Sequence, residues 1–317
     1  MKEKIMKFTP TIILSFCLAP TFILSACSNA GASSTTPLPC DSSLVINTSS
    51  NTILSVESYA QQLSCPTPSV NICTAFDIDN TLITNEPNLG GEAWGNWQEY
   101  LTESDPNNPY LATNWLSNVG IYQAQSGIRF LINFRPVESI TAASIASLQT
   151  QYQTIAISSR GFSSLATTTR QLAANQIDMS VNPIGDHQFD NSFLQQNKYK
   201  NDLKMYYDGI YYVAGSSKGE TLLNMIQYYR KKMNQPDLCE VLIMLDDTPS
   251  KIDDIILNLK GQIGIIGINY TALPQAINPA NWYPALWESQ SPQLMSTIVI
   301  PSFIERNMLK SMSPNFG

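Results

Sequence analysis

The chain has 317 residues, 43% of them hydrophobic and 14% charged, with a formal net charge of -7. This suits a folded globular protein of one large or two modest domains, and it argues against a general nucleic-acid binder, which would carry a basic face. The single histidine, His187, stands against a His-rich metal site and against a Ser-His-Asp hydrolase with any other base. Charged residues fall below the usual fraction of roughly 25%, so Asn, Gln, Ser and Thr carry much of the surface.

Residues 1–26 read as an export signal. A basic start, "MKEKIMK", precedes the apolar "FTPTIILSFCLAPTFILSA", which Pro10 and Pro20 interrupt. A membrane span needs about 20 continuous apolar residues, so the h-region of a signal fits better. The run ends in "LSAC", which resembles a bacterial lipobox with Cys27 as the lipidated first residue of the mature chain. The competing reading is an ordinary cleaved signal with a chance cysteine. Ser28, rather than an aspartate, follows, which by the enteric sorting rule favours the outer membrane. Removal of the signal leaves 15 basic and 24 acidic residues. The expected membrane contact is through this anchor alone, in the periplasm, with secretion as the outcome if the lipobox is not used.

Residues 27–52 are rich in Ser, Thr, Asn and Pro and are expected to form a flexible tether. Cys40, Cys65, Cys73 and Cys239 remain in the exported body and allow three pairings into two disulfides. Cys40 can pair with Cys65 across the polar N-terminal segment. Cys73 and Cys239 each open an apolar run and fit buried thiols as well as a disulfide.

A domain is expected over residues 53–284. Short apolar runs rich in β-branched and aromatic residues recur: "VNICTAFDI" (70–78), "TIAISS" (154–159), "GIYYVAG" (209–215), "CEVLIML" (239–245) and "QIGIIGINY" (262–270). Continuous rather than alternating apolar runs suit parallel strands buried on both faces. Helical spacing marks 138–152, 164–176, 219–233 and 250–260. The alternation predicts an α/β fold with a doubly wound parallel sheet, with a long insert at about 84–137. Within the insert, Trp94 and Trp97 are three residues apart and share a helix face. They read either as an aromatic wall for substrate or as packing. His187, in "IGDHQFD", is placed in a loop, with catalysis its lesser reading. Residues 285–317 read as a tail of no assigned role.

Doubly wound sheets bind ligands at the carboxyl ends of their strands. The first run ends in Asp77 and Asp79, the second in Ser158, Ser159 and Arg160. The third is followed by Ser217 and Lys218, and the fourth ends in Asp246 and Asp247. Converging carboxylates repel one another unless a cation lies between them, and an all-oxygen set favours Mg²⁺. Lys218 adds positive charge for a phosphoryl group, and Ser158 and Ser159 offer hydrogen bonds to its oxygens. "SSKGET" holds a capping-box spacing, Ser217 to Glu220, which makes Lys218 the first helical residue. The helix dipole disfavours a cation there, so an anion in front of it is the functional reading and a solvated lysine the plain one.

These stations, in this order over about residues 70–275, look like the haloacid dehalogenase (HAD) superfamily of phosphohydrolases. "DIDNT", "ISSRG", Lys218 and "LDD" fit its four motifs. "FDIDNTL", "SSRG" and "SKGETL" are similar to an exported bacterial family labelled only as a domain of unknown function and related to the acid phosphatases. The resemblance implies a HAD-like Rossmannoid core, an inserted, mainly helical cap at about 84–137 between the first and second motifs, and Mg²⁺-dependent hydrolysis of a small phosphate monoester through an aspartyl phosphate. It makes Asp77 the nucleophile and a metal ligand, and Asp79 the acid/base and a ligand through its carbonyl. Ser158 binds phosphate, Lys218 steadies nucleophile and phosphate, and Asp246 or Asp247 completes the metal site. Ser159 and Arg160 are substrate-side candidates, Arg160 meeting either the phosphate or a cap carboxylate. Thr81 reads as structural. Two other functions stay open: a catalytically weak surface or binding protein on the same scaffold, and a phosphotransferase to an acceptor other than water.

Overall fold

A computed structural model describes residues 37–85, 91–107, 111, 125, 128–130, 132–186, 195–197 and 202–273. Cys27, His187 and the tail at 285–317 lie outside the described residues.

The strands are β1 (Val45–Ser50), β2 (Ile72–Phe76), β3 (Ile83–Asn85), β4 (Phe134–Pro136), β5 (Gln153–Ser158), β6 (Gln195–Asn197), β7 (Asp202–Tyr207), β8 (Ile210–Tyr212), β9 (Val241–Asp246) and β10 (Gly264–Tyr270). The helices are α1 (Leu54–Gln62), α2 (Pro68–Asn71), α3 (Glu92–Ser104), α4 (Thr141–Gln149), α5 (Leu165–Ala174), α6 (Lys218–Lys232) and α7 (Pro249–Leu259). Eight strands form one sheet in the order β1-β10-β9-β2-β5-β8-β7-β6. From β1 to β8 every pairing is parallel, whereas β8–β7 and β7–β6 are antiparallel. The protein is therefore a mixed α/β fold with a mostly parallel central sheet.

Apolar residues on both faces of the central strands explain the layering. In β9, Val241, Ile243 and Leu245 join the core shared with α1, α4 and α5, and Leu242 and Met244 join the core shared with α6 and α7. Each buried Leu, Ile or Phe contributes about 1.5–3 kcal/mol, so these two cores hold the central strands in place.

The structure departs from the sequence reading in two places. The expected tether contains β1, which pairs in parallel with β10 from Val45 to Ser50. Its residues alternate between exposed and partly buried, the pattern of an edge strand with one wet face, which is why its composition resembled a linker. The run at 209–215 is expected to be a central parallel strand, and it does pair in parallel with β5. Only Ile210–Tyr212 form β8, which turns back from β7 through Asp208 and Gly209, both at positive φ (45° and 74°). That is the two-residue hairpin geometry that Asp-Gly favours.

Both remaining cysteine pairs are disulfides. Cys40–Cys65 ties the segment before β1 to the end of α1, and Cys73–Cys239 links β2 to the residue two positions before β9. Loops of these lengths, 25 and 166 residues, predict stabilisation of about 3.5 and about 5 kcal/mol in the chain-entropy treatment. No helix among the described residues is long and apolar enough to cross a membrane.

The insert leaves the core between β3 and β4, which pair antiparallel at its base. Its described part includes α3 and the helical residues 128–130.

Candidate active site

The chain winds from β2 to β5 and β8 on one side, then returns to place β9 on the other side of β2. The reversal at β2 is a topological switch point, where open sheets leave a crevice at their carboxyl ends. β2 and β9 run in register from Ile72 beside Val241 to Phe76 beside Leu245. Asp77 continues that register, its amide donating to the Leu245 carbonyl at 3.0 Å, so Asp77 and Asp246 leave adjacent strands side by side.

A buried lysine stands between them. Lys218 Nζ donates to Asp77 Oδ1 at 2.5 Å and to Asp246 Oδ2 at 2.7 Å, and the residue is 1% exposed. It is therefore not a solvated lysine. Three local features aim it. The Ser217 hydroxyl caps α6 by accepting from the Glu220 amide at 3.0 Å. Asp254 of α7 accepts from the Ser217 hydroxyl and from the Gly219 amide. A Cβ on Gly219 would meet the Asp254 carbonyl oxygen at 2.5 Å, so glycine allows the start of α6 to lie against α7.

Asp247 joins the cluster. Asp77, Asp246 and Asp247 each present a carboxylate oxygen within 4.8 Å of the others. Thr81 binds the same loop, its hydroxyl accepting from the Asp247 amide at 3.2 Å, and the Thr248 amide donates to Asp246 Oδ1 at 2.9 Å. An all-oxygen set of this kind fits a hard divalent cation.

Asp79 faces other company. Residues 78–83 make a tight turn in which the Leu82 and Ile83 amides both donate to the Ile78 carbonyl. Asn80 sits in it at φ 60°, a region that asparagine tolerates better than most residues. The turn sends the Asp79 carboxylate to Arg160, whose Nε donates to Oδ2 at 2.9 Å and whose second terminal nitrogen donates to Oδ1 at 2.8 Å. Arg129, from the insert, lies 3.7 Å from Oδ2.

The two aspartates are therefore shifted in opposite senses. Burial pushes Asp77 up to about 7; Lys218 opposes the rise, and Asp246 and Asp79 add to it. Burial would raise Asp79 too, but Arg129 and Arg160 outweigh it and hold that carboxyl well below the usual carboxylate range. Lys218 would be lowered by burial, yet Asp246 and Asp77 hold it above its ordinary value. The pair's stronger direction is the lysine's, since two carboxylates touch it directly.

The sequence-predicted residues thus fall into three groups. Asp77, Asp246, Asp247 and Lys218 converge, with Asp79 and Arg160 forming a second cluster two residues on in the chain. Ser158, 1% exposed at the end of β5, has its hydroxyl accepting from the Arg160 amide at 3.2 Å, and Ser159 is exposed. Trp94 and Trp97 are buried at 0% and 5% exposure, an environment that packing accounts for. Sequence reading missed Arg129, Thr168, Gln171 and Asp254. The only local hint was the lysine–glycine step after the capping serine, which implies a close helix neighbour.

No curated protein and no solved structure matches the chain. One family model, described as a protein of unknown function (DUF2608), matches residues 50–286, well over half of the sequence, and the chain belongs to that family.

Proposed function

We propose that the protein is a HAD-type phosphomonoesterase working through an aspartyl phosphate. The observation that carries this reading is the buried Asp77–Lys218–Asp246 array at the switch point of the sheet. A buried lysine bridging two carboxylates is costly to assemble, and such charge is retained where chemistry needs it. Asp77 attacks phosphorus, the ester oxygen departs with a proton from Asp79, and water then cleaves the acyl phosphate with Asp79 as base. Lys218 steadies the carboxylate before attack and the phosphoryl charge after it. Asp77, Asp246 and Asp247 would hold Mg²⁺, which neutralises phosphoryl charge when bound. Purified protein should hydrolyse an aryl phosphate with Mg²⁺, lose activity in EDTA, and lose it in Asp77→Asn. No turnover by the wild type across a broad phosphate-ester panel would sink the enzyme reading.

One observation favours a second reading. Asp79 is engaged by two guanidiniums, which opposes its holding a proton. A weakly catalytic binding protein on this scaffold would keep the array and bind phosphate analogues with Mg²⁺. A rise in melting temperature with tungstate, without turnover, would select it.

Two disulfides support an oxidising compartment, and so export. Lipid anchoring is tested by labelling with a fatty-acid precursor, which Cys27→Ser should abolish.

A further inference from the structure

Asp79 belongs to a closed ring of polar contacts that runs through the insert. Arg160 meets the carboxylate with one edge of its guanidinium. Its other terminal nitrogen donates to Thr168 Oγ1 at 2.9 Å and to Gln171 Oε1 at 2.8 Å, both on α5. The far end of the same amide, Gln171 Nε2, donates to the Arg129 carbonyl at 2.7 Å. The Arg129 guanidinium then returns to Asp79 at 3.7 Å. Neighbouring Arg170 adds a bond to the Phe130 carbonyl and lies over the Phe130 ring at 5.3 Å.

The chemistry of the central residue is specific. An amide offers one acceptor and one donor end, and only the orientation seen satisfies both a guanidinium and a carbonyl. Glutamate would keep the acceptor, lose the donor and compete with Asp79 for Arg160. Methionine would supply neither. Gln171 is 2% exposed and Arg160 4%, so water is a poor substitute for either bond.

Building on the reading of Asp79 as the proton-transferring group, we infer that Gln171 and Arg129 are positioning residues: the ring Asp79–Arg160–Gln171–Arg129 makes the seating of the insert set the place of the Asp79 carboxylate. A carboxylate that leaves the Arg160 fork to reach a leaving-group oxygen disturbs the ring at both ends. The insert near Arg129 then loses part of its hold on α5. Conversely, an insert not docked on α5 leaves Gln171 Nε2 without its carbonyl partner and Asp79 without Arg129.

The test uses the full chain with Mg²⁺ and two readouts. In steady-state kinetics, Gln171→Met should lower kcat by about tenfold or more with a smaller change in KM, because misplacement of a reacting group acts on the chemical step. Gln171→Glu should also be impaired, and Arg129→Lys should recover much of what Arg129→Gln loses. In hydrogen exchange, Asp79→Asn should speed exchange of peptides covering Arg129 on the order of tenfold, since that local opening loses a tie. Wild-type kcat in Gln171→Met, or an equal loss in KM and none in kcat, overturns the inference. So does unchanged exchange around Arg129 in Asp79→Asn. If the wild type shows no turnover on any phosphate ester, the phosphatase reading fails, and the exchange experiment alone still decides whether Asp79 and the insert are coupled.

Discussion

Asp77 and Asp79 leave the same strand two residues apart, and the protein treats them in opposite ways. Asp77 shares one ammonium with Asp246 in a region where carboxylates outnumber cations. Asp79 lies against two guanidiniums, those of Arg160 and Arg129. The first end gathers three carboxylates around one ammonium. The second sets one carboxylate between two guanidiniums. Environments that push two carboxyls apart are how one site assigns them different work. On the proposed reading the acid is the carboxyl held below the usual range, and transferring a proton would then require the Arg160 fork to loosen.

The largest test of this contrast removes the bridging lysine. Lys218→Met leaves two buried carboxylates facing each other, and breaking a buried pair from one side costs about 3–5 kcal/mol. The midpoint of urea unfolding in EDTA should fall accordingly, and added Mg²⁺ should restore part of the loss. A variant as stable as the wild type would mean that the array is already held by something other than the lysine.

Arg160→Met attacks the other end. Asp79 keeps Arg129 at 3.7 Å and some contact with water, its side chain being 16% exposed, so the loss should be smaller, about 2–3 kcal/mol. Arg160→Lys should recover little, because an ammonium cannot reproduce the two-point fork. Full recovery by lysine would show that only charge matters at Asp79.

How far the sequence disclosed this contrast follows from what each feature needs. The ends of β2, β5 and β9 were legible because a continuous apolar run that stops at polar residues is a one-dimensional pattern. Lys218 was legible through its capping serine. The ring around Asp79 was not, since Thr168 and Gln171 look like ordinary polar residues of α5 and acquire meaning only when Arg160 and the insert are packed beside them. β1 was hidden for the opposite reason: an edge strand needs little hydrophobicity, so "VINTSS" passed for linker. Asp208-Gly209 carries a hairpin signal, which the apolar run that opens on Gly209 obscures. The pairing of four cysteines was open by count alone and is settled by which strands lie side by side.

The subtlest test, read per pH unit, separates the two aspartates by their titration. In metal-free protein, Asp77 has a folded value raised to about 7 from 3.8, so between those values the folded state binds more protons than the unfolded one. Stability then falls as pH rises through that window, by at most about 1.4 kcal/mol per pH unit. Asp79 is lowered, so its contribution is fully present above the unfolded value near 3.8 and is lost as pH falls below it. The wild type in EDTA should therefore show two limbs, one below about pH 4 from Asp79 and one between about pH 4 and 7 from Asp77. Asp77→Asn should flatten the upper limb and leave the lower one, and Asp79→Asn should do the reverse. Melting temperatures measured across pH in EDTA for the three proteins decide it. If both variants flatten the same limb, the two carboxylates titrate as one group, and the division of labour between them is lost.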